Sequence, residues 1–124
     1  MYKFEQLEVY QLALDYVDHV YKLADRLPHN EAFNLNSQTT RAATSIALNI
    51  AEGSTGQSNA EQCRFLAMSI RSLLETIACQ HIIQRRGYLP KDDPLLQQLD
   101  NTGQILARKL QAMRKSLTVE KEHQ

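Results

Sequence analysis

Apolar residues along this chain return at alternating spacings of three and four, the period of helices with one buried face. The first such stretch predicts a helix from about Glu5 to Leu27. Leu7, Tyr10, Leu14, Val17, Tyr21 and Ala24 form a heptad seam on it, and Val9, Ala13, Tyr16, Val20, Leu23 and Leu27 form a second row beside the first. The two rows together cover an arc of roughly 160°, wider than the stripe of about 100° that one core contact needs. Helix 1 is therefore expected to have a second packing partner, which points to an oligomer. Glu8, Gln11, Asp15, Asp18, Lys22 and Asp25 fill the opposite face, and Pro28 stops the helix by disfavouring helical geometry at Leu27.

The stretch from Leu35 to Gly53 carries only two charges, Arg41 and Glu52. A helix with one wet face shows a run of charge there, so this one is expected to be buried on most sides. A cap at Asn34 or Asn36 should start it, and Gly53 should end it in a left-handed conformation. Leu35, Thr39, Ala43, Ile46, Ala47 and Ile50 make its apolar row. Gln38, Arg41, Ser45, Asn49 and Glu52 make a polar seam beside that row, and Thr40, Thr44, Leu48 and Ala51 fill the remaining arc. A buried polar group left unsatisfied costs about 1–3 kcal/mol, so the seam is read as a device that sets helix register and association state.

Gly53 to Gln57 reads as a short loop. Ser58-Asn59-Ala60-Glu61 is a capping box that opens helix 3, expected to run to about Arg86 with Cys63, Leu66, Ile70, Leu73 and Ile77 on one seam and Leu74, Ala78 and Ile82 as a flank. Gly87 and Pro90 end it. Asp92-Asp93-Pro94 starts helix 4, whose seam is Leu96, Leu99, Gly103, Leu106, Leu110, Met113 and Leu117. Gly103 inside that seam implies close approach of a neighbouring helix. Four long helices on short links predict an all-α fold, an up-down-up-down antiparallel four-helix bundle over residues 1–117, with 118–124 as a frayed polar tail.

Composition adds little to this. The chain has 124 residues, 43% of them hydrophobic and 23% charged, as expected of one globular domain. Neither a transmembrane run nor a signal peptide is apparent, so a cytoplasmic protein is expected. Lys plus Arg and Asp plus Glu balance at 14 each, but residues 1–31 hold six acids against three bases and residues 59–91 hold five bases against two acids. Arg64, Arg71, Arg85, Arg86, Arg108, Lys109, Arg114 and Lys115 are candidate nucleic-acid contacts, the alternative being solvated helix faces. Cys63 and Cys79 are 16 residues apart on one predicted helix, about 24 Å and too far to bridge. No two Glu-x-x-His motifs on separate helices, no nucleophile–base constellation and no phosphate loop occur, so no metal, no cofactor, no catalytic residue, no enzyme activity and no small-molecule substrate are expected. Glu52 and Glu75 are read as structural carboxylates, paired for instance with Arg41 or Arg71. His19, four residues after Asp15, is read as a solvated partner of that carboxylate.

The run Leu27-Pro28, Glu31, Phe33, Leu35, Gln38, Arg41-Ala42-Ala43, Ser45-Ile46 and Asn49-Ile50-Ala51-Glu52-Gly53 resembles the signature of four-helix-bundle proteins encoded in intervening sequences of bacterial 23S rRNA genes. Phe4, Leu7, Val9-Tyr10 and Ala13 are similar to that family's opening. Phe65-Leu66, Ser69, Ser72-Leu73, Glu75 and Gly87-Tyr88-Leu89 are similar to its third helix and exit, although Arg71 stands where the family often has glycine. The resemblance covers about Phe4 to Leu117. It implies a ring-shaped homopentamer and a non-enzymatic interaction scaffold. It also brings in the related accessory protein of diversity-generating retroelements, which binds nucleic acid and a reverse transcriptase. RNA or DNA and a nucleic-acid enzyme are thus the implied partners besides the chain itself.

Overall fold

The computed structural model describes residues 1–56 and 58–123, with side chains described as far as Thr118. Four helices carry the fold: α1 Glu8–Ala24, α2 Ser37–Ser54, α3 Asn59–Arg85 and α4 Pro94–His123. Each packs on its neighbour in the chain and α1 closes on α4, which is the arrangement of a four-helix bundle. Among the described residues there is no strand, and no helix is long and apolar enough to cross a membrane. Cys63 and Cys79 are both free thiols.

Helix starts follow local chemistry closely. The Ser58 hydroxyl accepts from the Glu61 amide at 3.1 Å, and Asp93 accepts from the Leu95 amide at 3.0 Å. The entry to α1 differs from the sequence pattern. Lys3–Gln6 is a 3-10 turn, and Leu7 is extended at φ −78°, ψ 126°, so α1 begins only at Glu8. Before α2 lies a π-helical turn, Ala32–Asn36, whose wide ring turns Leu35 inward and Phe33 outward. Asn36 makes no side-chain cap there. Its amide instead donates to the Ala24 carbonyl and ties off the end of α1. At the other end, α4 continues beyond Leu117 as a helix to His123, while Gln57 and Gln124 lie outside the described residues.

The core is built from the row Val9, Ala13, Tyr16, Val20 and Leu23 on α1, the whole predicted apolar row of α2, Leu66, Ile70, Leu73 and Ile83 on α3, and Leu96, Leu99, Leu106 and Leu110 on α4. Gly103 meets its expectation: a Cβ there would lie 3.3 Å from Tyr16 Cε1, so the ring of Tyr16 occupies the space a side chain would need. Three expectations require correction. Gly53 is not a left-handed cap but lies inside α2, and the positive-φ residue is Gly87, at +75°, just past α3. Gly53 is needed for clearance, because a Cβ there would come within 2.7 Å of Phe65 Cβ. The flank Leu74, Ala78 and Ile82 faces outward, and the inward row of α3 holds Gln62, Ser69, Thr76, Cys79 and Gln80 instead. Hydroxyls fit there because each finds a carbonyl: Ser69 donates across to Ile46 at 2.8 Å and Thr76 back to Ser72 at 2.8 Å. His19 has no ion pair with Asp15; its Nδ1 is buried without a hydrogen-bond partner among the described residues.

Candidate functional site

The protomer does not bury α2 on most sides. Gln38, Arg41, Leu48 and Glu52 are exposed, Ser45 and Asn49 are half-buried, and Leu48 keeps 62% of its surface in water. The polar seam is thus an accessible edge rather than an interior one. Its middle is tied to α3: Ser72 donates to Ser45 Oγ at 3.1 Å, and the Asn49 amide donates to the Ser45 hydroxyl at 3.0 Å and to the Ser45 carbonyl at 2.9 Å. Ser45 sits at the centre of this network because one helical turn separates it from Asn49, while α3 brings Ser72 against it.

Two grooves flank this edge. The larger, about 610 Å³, runs between α2 and α3, with Ser37, Gln38, Arg41 and Ser45 on one wall and Ser72 and Glu75 on the other. Phe33 and Asn34 stand at its mouth, and Phe33 is 98% exposed. A phenyl ring left so far in water has no packing role within the protomer. The smaller groove, about 300 Å³, lies between α1 and α2 and is lined by Tyr21, Thr40, Thr44 and Leu48. Arg41 and Ser45 line both, so the two grooves are halves of one face divided by those residues.

The electrostatics of this face also differ from expectation. Two ion pairs occur among the described residues, Arg26–Asp93 at 2.8 Å and Lys109–Glu8 at 2.9 Å, and neither involves Arg41, Glu52, Arg71 or Glu75. The predicted pairing of Glu52 or Glu75 with Arg41 or Arg71 is absent. Arg41 and Glu75 therefore present a cation and an anion on facing walls, each without a partner in an ion pair. Arg71, where a glycine would suit close packing, points outward and is exposed.

The basic positions do not gather at one spot. The contacts of Cys63 Sγ with the Arg114 carbonyl (3.6 Å) and of Gln80 with Asp100 (2.9 Å) set the antiparallel register of α3 and α4. That register puts Arg64 level with Arg114 and Arg71 level with Arg108, while Arg85 and Arg86 lie at the far end of α3. All eight candidates are exposed. Lys109 is held by Glu8, Arg64 lies 5.5 Å from the centroid of the Phe65 ring, and Arg86 lies 5.9 Å from that of Tyr88.

No group of three or more His, Cys, Asp and Glu side chains able to hold a metal comes together among the described residues. The most perturbed ionisable group lies inside the bundle: burial, then Asp100 and Cys79, push the Tyr16 phenol far above its ordinary value. That phenol has no hydrogen-bond partner among the described residues. Thr39 stands beside Cys79, whose thiol is pushed up by burial. These groups have no access to solvent, so the α2 face is the better candidate site. The sequence pattern marks Gln38, Arg41 and Ser45 on this face but not Phe33, one of its two aromatic residues. Phe33 reads as an ordinary apolar residue because nothing local signals the π-helical turn that ejects it.

A family model described as 23S rRNA-intervening sequence protein matches residues 5–112. No curated protein matches the chain.

Proposed function

The chain belongs to the 23S rRNA-intervening sequence protein family, and from that premise we propose that it is a non-enzymatic scaffold that associates with copies of itself through the outer face of α2. The observation that carries this reading is the continuity of the two grooves across Arg41 and Ser45, with Phe33, Tyr21 and Leu48 exposed around them. Exposed apolar patches rimmed by polar groups mark interaction surfaces. Aromatic and Arg anchors are the residues that carry binding energy at such surfaces. The unpaired Arg41 and Glu75 supply complementary charges that fix the orientation of a second copy. The breadth of the apolar arc on α1 supports the same reading, because Leu14 and Tyr21 lie on its outer edge. A closed ring, pentameric as the resemblance implies, would satisfy every such face at once. Light scattering coupled to size-exclusion chromatography tests this. A single species heavier than one protomer is expected, and a monomer at micromolar concentration rejects the reading.

A second reading, a retroelement-type accessory that binds RNA or DNA together with a reverse transcriptase, is favoured by the line of exposed cations on α3 and α4. Phosphate contacts would then add up over the copies of an assembly. Labelled RNA titrated at two salt concentrations decides it, since binding driven by phosphates weakens steeply with salt. No binding at low salt rejects it.

A further inference from the structure

Away from α2, a cavity of about 460 Å³ opens where α3 gives way to α4. Leu89 and Leu96 form its floor. Both belong to the hydrophobic core and are 5% and 4% exposed. His81, Gln84, Arg85 and Lys91 form the rim, and no carboxylate lines the cavity. The turn that builds it depends on Gly87, whose φ of +75° sends the chain back so that Leu89 re-enters the core.

The charges around this cavity are unbalanced. Neither Arg85, Lys91 nor His81 takes part in an ion pair among the described residues. Of the acids nearest along the chain, Asp93 is engaged by Arg26 and the Leu95 amide and Asp100 by the Gln80 amide, while Asp92, next to Lys91, is exposed and does not line the cavity. A ligand that engaged both the exposed cations and the apolar floor would carry both characters. A phosphate backbone alone would leave the leucines uncovered, and a neutral apolar molecule would leave the cations unpaired. The volume lies within the range of about 300–1,000 Å³ that small-molecule pockets occupy.

We propose that this cavity binds a small amphiphilic anion, its carboxylate or phosphate head held by Arg85 and Lys91 and its apolar body laid on Leu89 and Leu96. The guanidinium of Arg85 offers the paired donors that suit either head group. This site shares no residue with the α2 face, so it stands or falls independently of self-association.

The test is a titration of the full-length, 15N-labelled chain with decanoate, decyl phosphate and uncharged decanol, each kept below micelle formation. Saturable shifts of the Leu89, Lys91 and Leu96 amides are expected with at least one of the anions, and decanol should bind about tenfold more weakly or less tightly still. The tighter anion identifies the head group. Arg85→Glu with Lys91→Glu should weaken binding by about tenfold or more. Arg85→Gln with Lys91→Gln, which removes charge without reversing it, should weaken binding less, and a urea unfolding curve run alongside reports whether each variant folds. The proposal is overturned if neither anion shifts these amides saturably, if decanol matches the anions, if the Gln pair leaves affinity unchanged, or if the shifts spread over the whole surface as in detergent adsorption.

Discussion

Gly53 on α2 and Phe65 on α3 approach so closely that a Cβ on the glycine would lie 2.7 Å from the Cβ of the phenylalanine. The neighbouring atom is fixed to the α3 backbone, so no rotamer change relieves the clash, and the helices themselves must separate. Gly53→Ala is therefore expected to destabilise the fold by about 1–3 kcal/mol, despite the better helix propensity of alanine. Urea unfolding measures it. A loss below about 0.5 kcal/mol would mean that α2 and α3 can spread without cost.

Tyr16 is buried from all sides, with its hydroxyl unpartnered among the described residues and its ring against Gly103. A buried polar group without a partner costs about 1–3 kcal/mol. Tyr16→Phe keeps the ring and removes that cost, so stability should be unchanged or rise by about 1 kcal/mol. Thermal and urea unfolding of the variant check this, and a loss of more than about 1 kcal/mol would reveal a partner for the hydroxyl.

Ile46 and Leu48 are two residues apart on α2 and face opposite ways, the first fully buried and the second mostly in water. Ile46→Ala should cost about 2–5 kcal/mol, since the packed core cannot close over the lost volume. Leu48→Ala should stay within about 0.5 kcal/mol for the protomer. Under the proposed self-association, Leu48→Glu places a charge in the interface and should lower the mass seen by light scattering without lowering helix content. An unchanged mass would exclude Leu48 from the interface.

The Tyr88 hydroxyl donates to Glu31 at 2.6 Å, and that bond, followed by one from the Asn34 amide at 3.0 Å, holds the Glu31 carboxyl below its usual range. Asp93 is lowered too, first by the Leu95 amide and then by Arg26. A carboxylate with a depressed folded-state pKa contributes stability above its unfolded value, and the contribution is lost as pH falls through the folded value. Both contributions should therefore be present at neutral pH and fade below about pH 4, the ordinary carboxylate range. Tyr88→Phe should be less stable than the parent at pH 7, and the gap should narrow on acidification. A gap that stays constant with pH would mean that Glu31 does not respond to Tyr88.

The sequence by itself determined where the helices lie and most of what starts and stops them. Ser58 with Glu61, Asp93 with Pro94, and Gly87 act through groups within a few residues of each other, so their chemistry is written locally. The apolar row of α2 was equally legible, because small and polar neighbours leave it no rival. On α1 two rows compete, and on α3 the flank Leu74, Ala78 and Ile82 looks as apolar as the true inward row with its Ser69, Thr76 and Gln80. Periodicity gives a helix a face but not its rotation against its neighbours. Rotation is decided by volume and by carbonyls on other helices: the space at Gly103 that takes Tyr16, the gap at Gly53 that takes Phe65, the Ile46 carbonyl that satisfies Ser69. The outer face of α2 belongs to this second kind. Its residues were visible in the sequence as a polar seam, but only the packing of α3 and the π-helical turn made it an open groove with Arg41, Glu75 and Phe33 exposed along it.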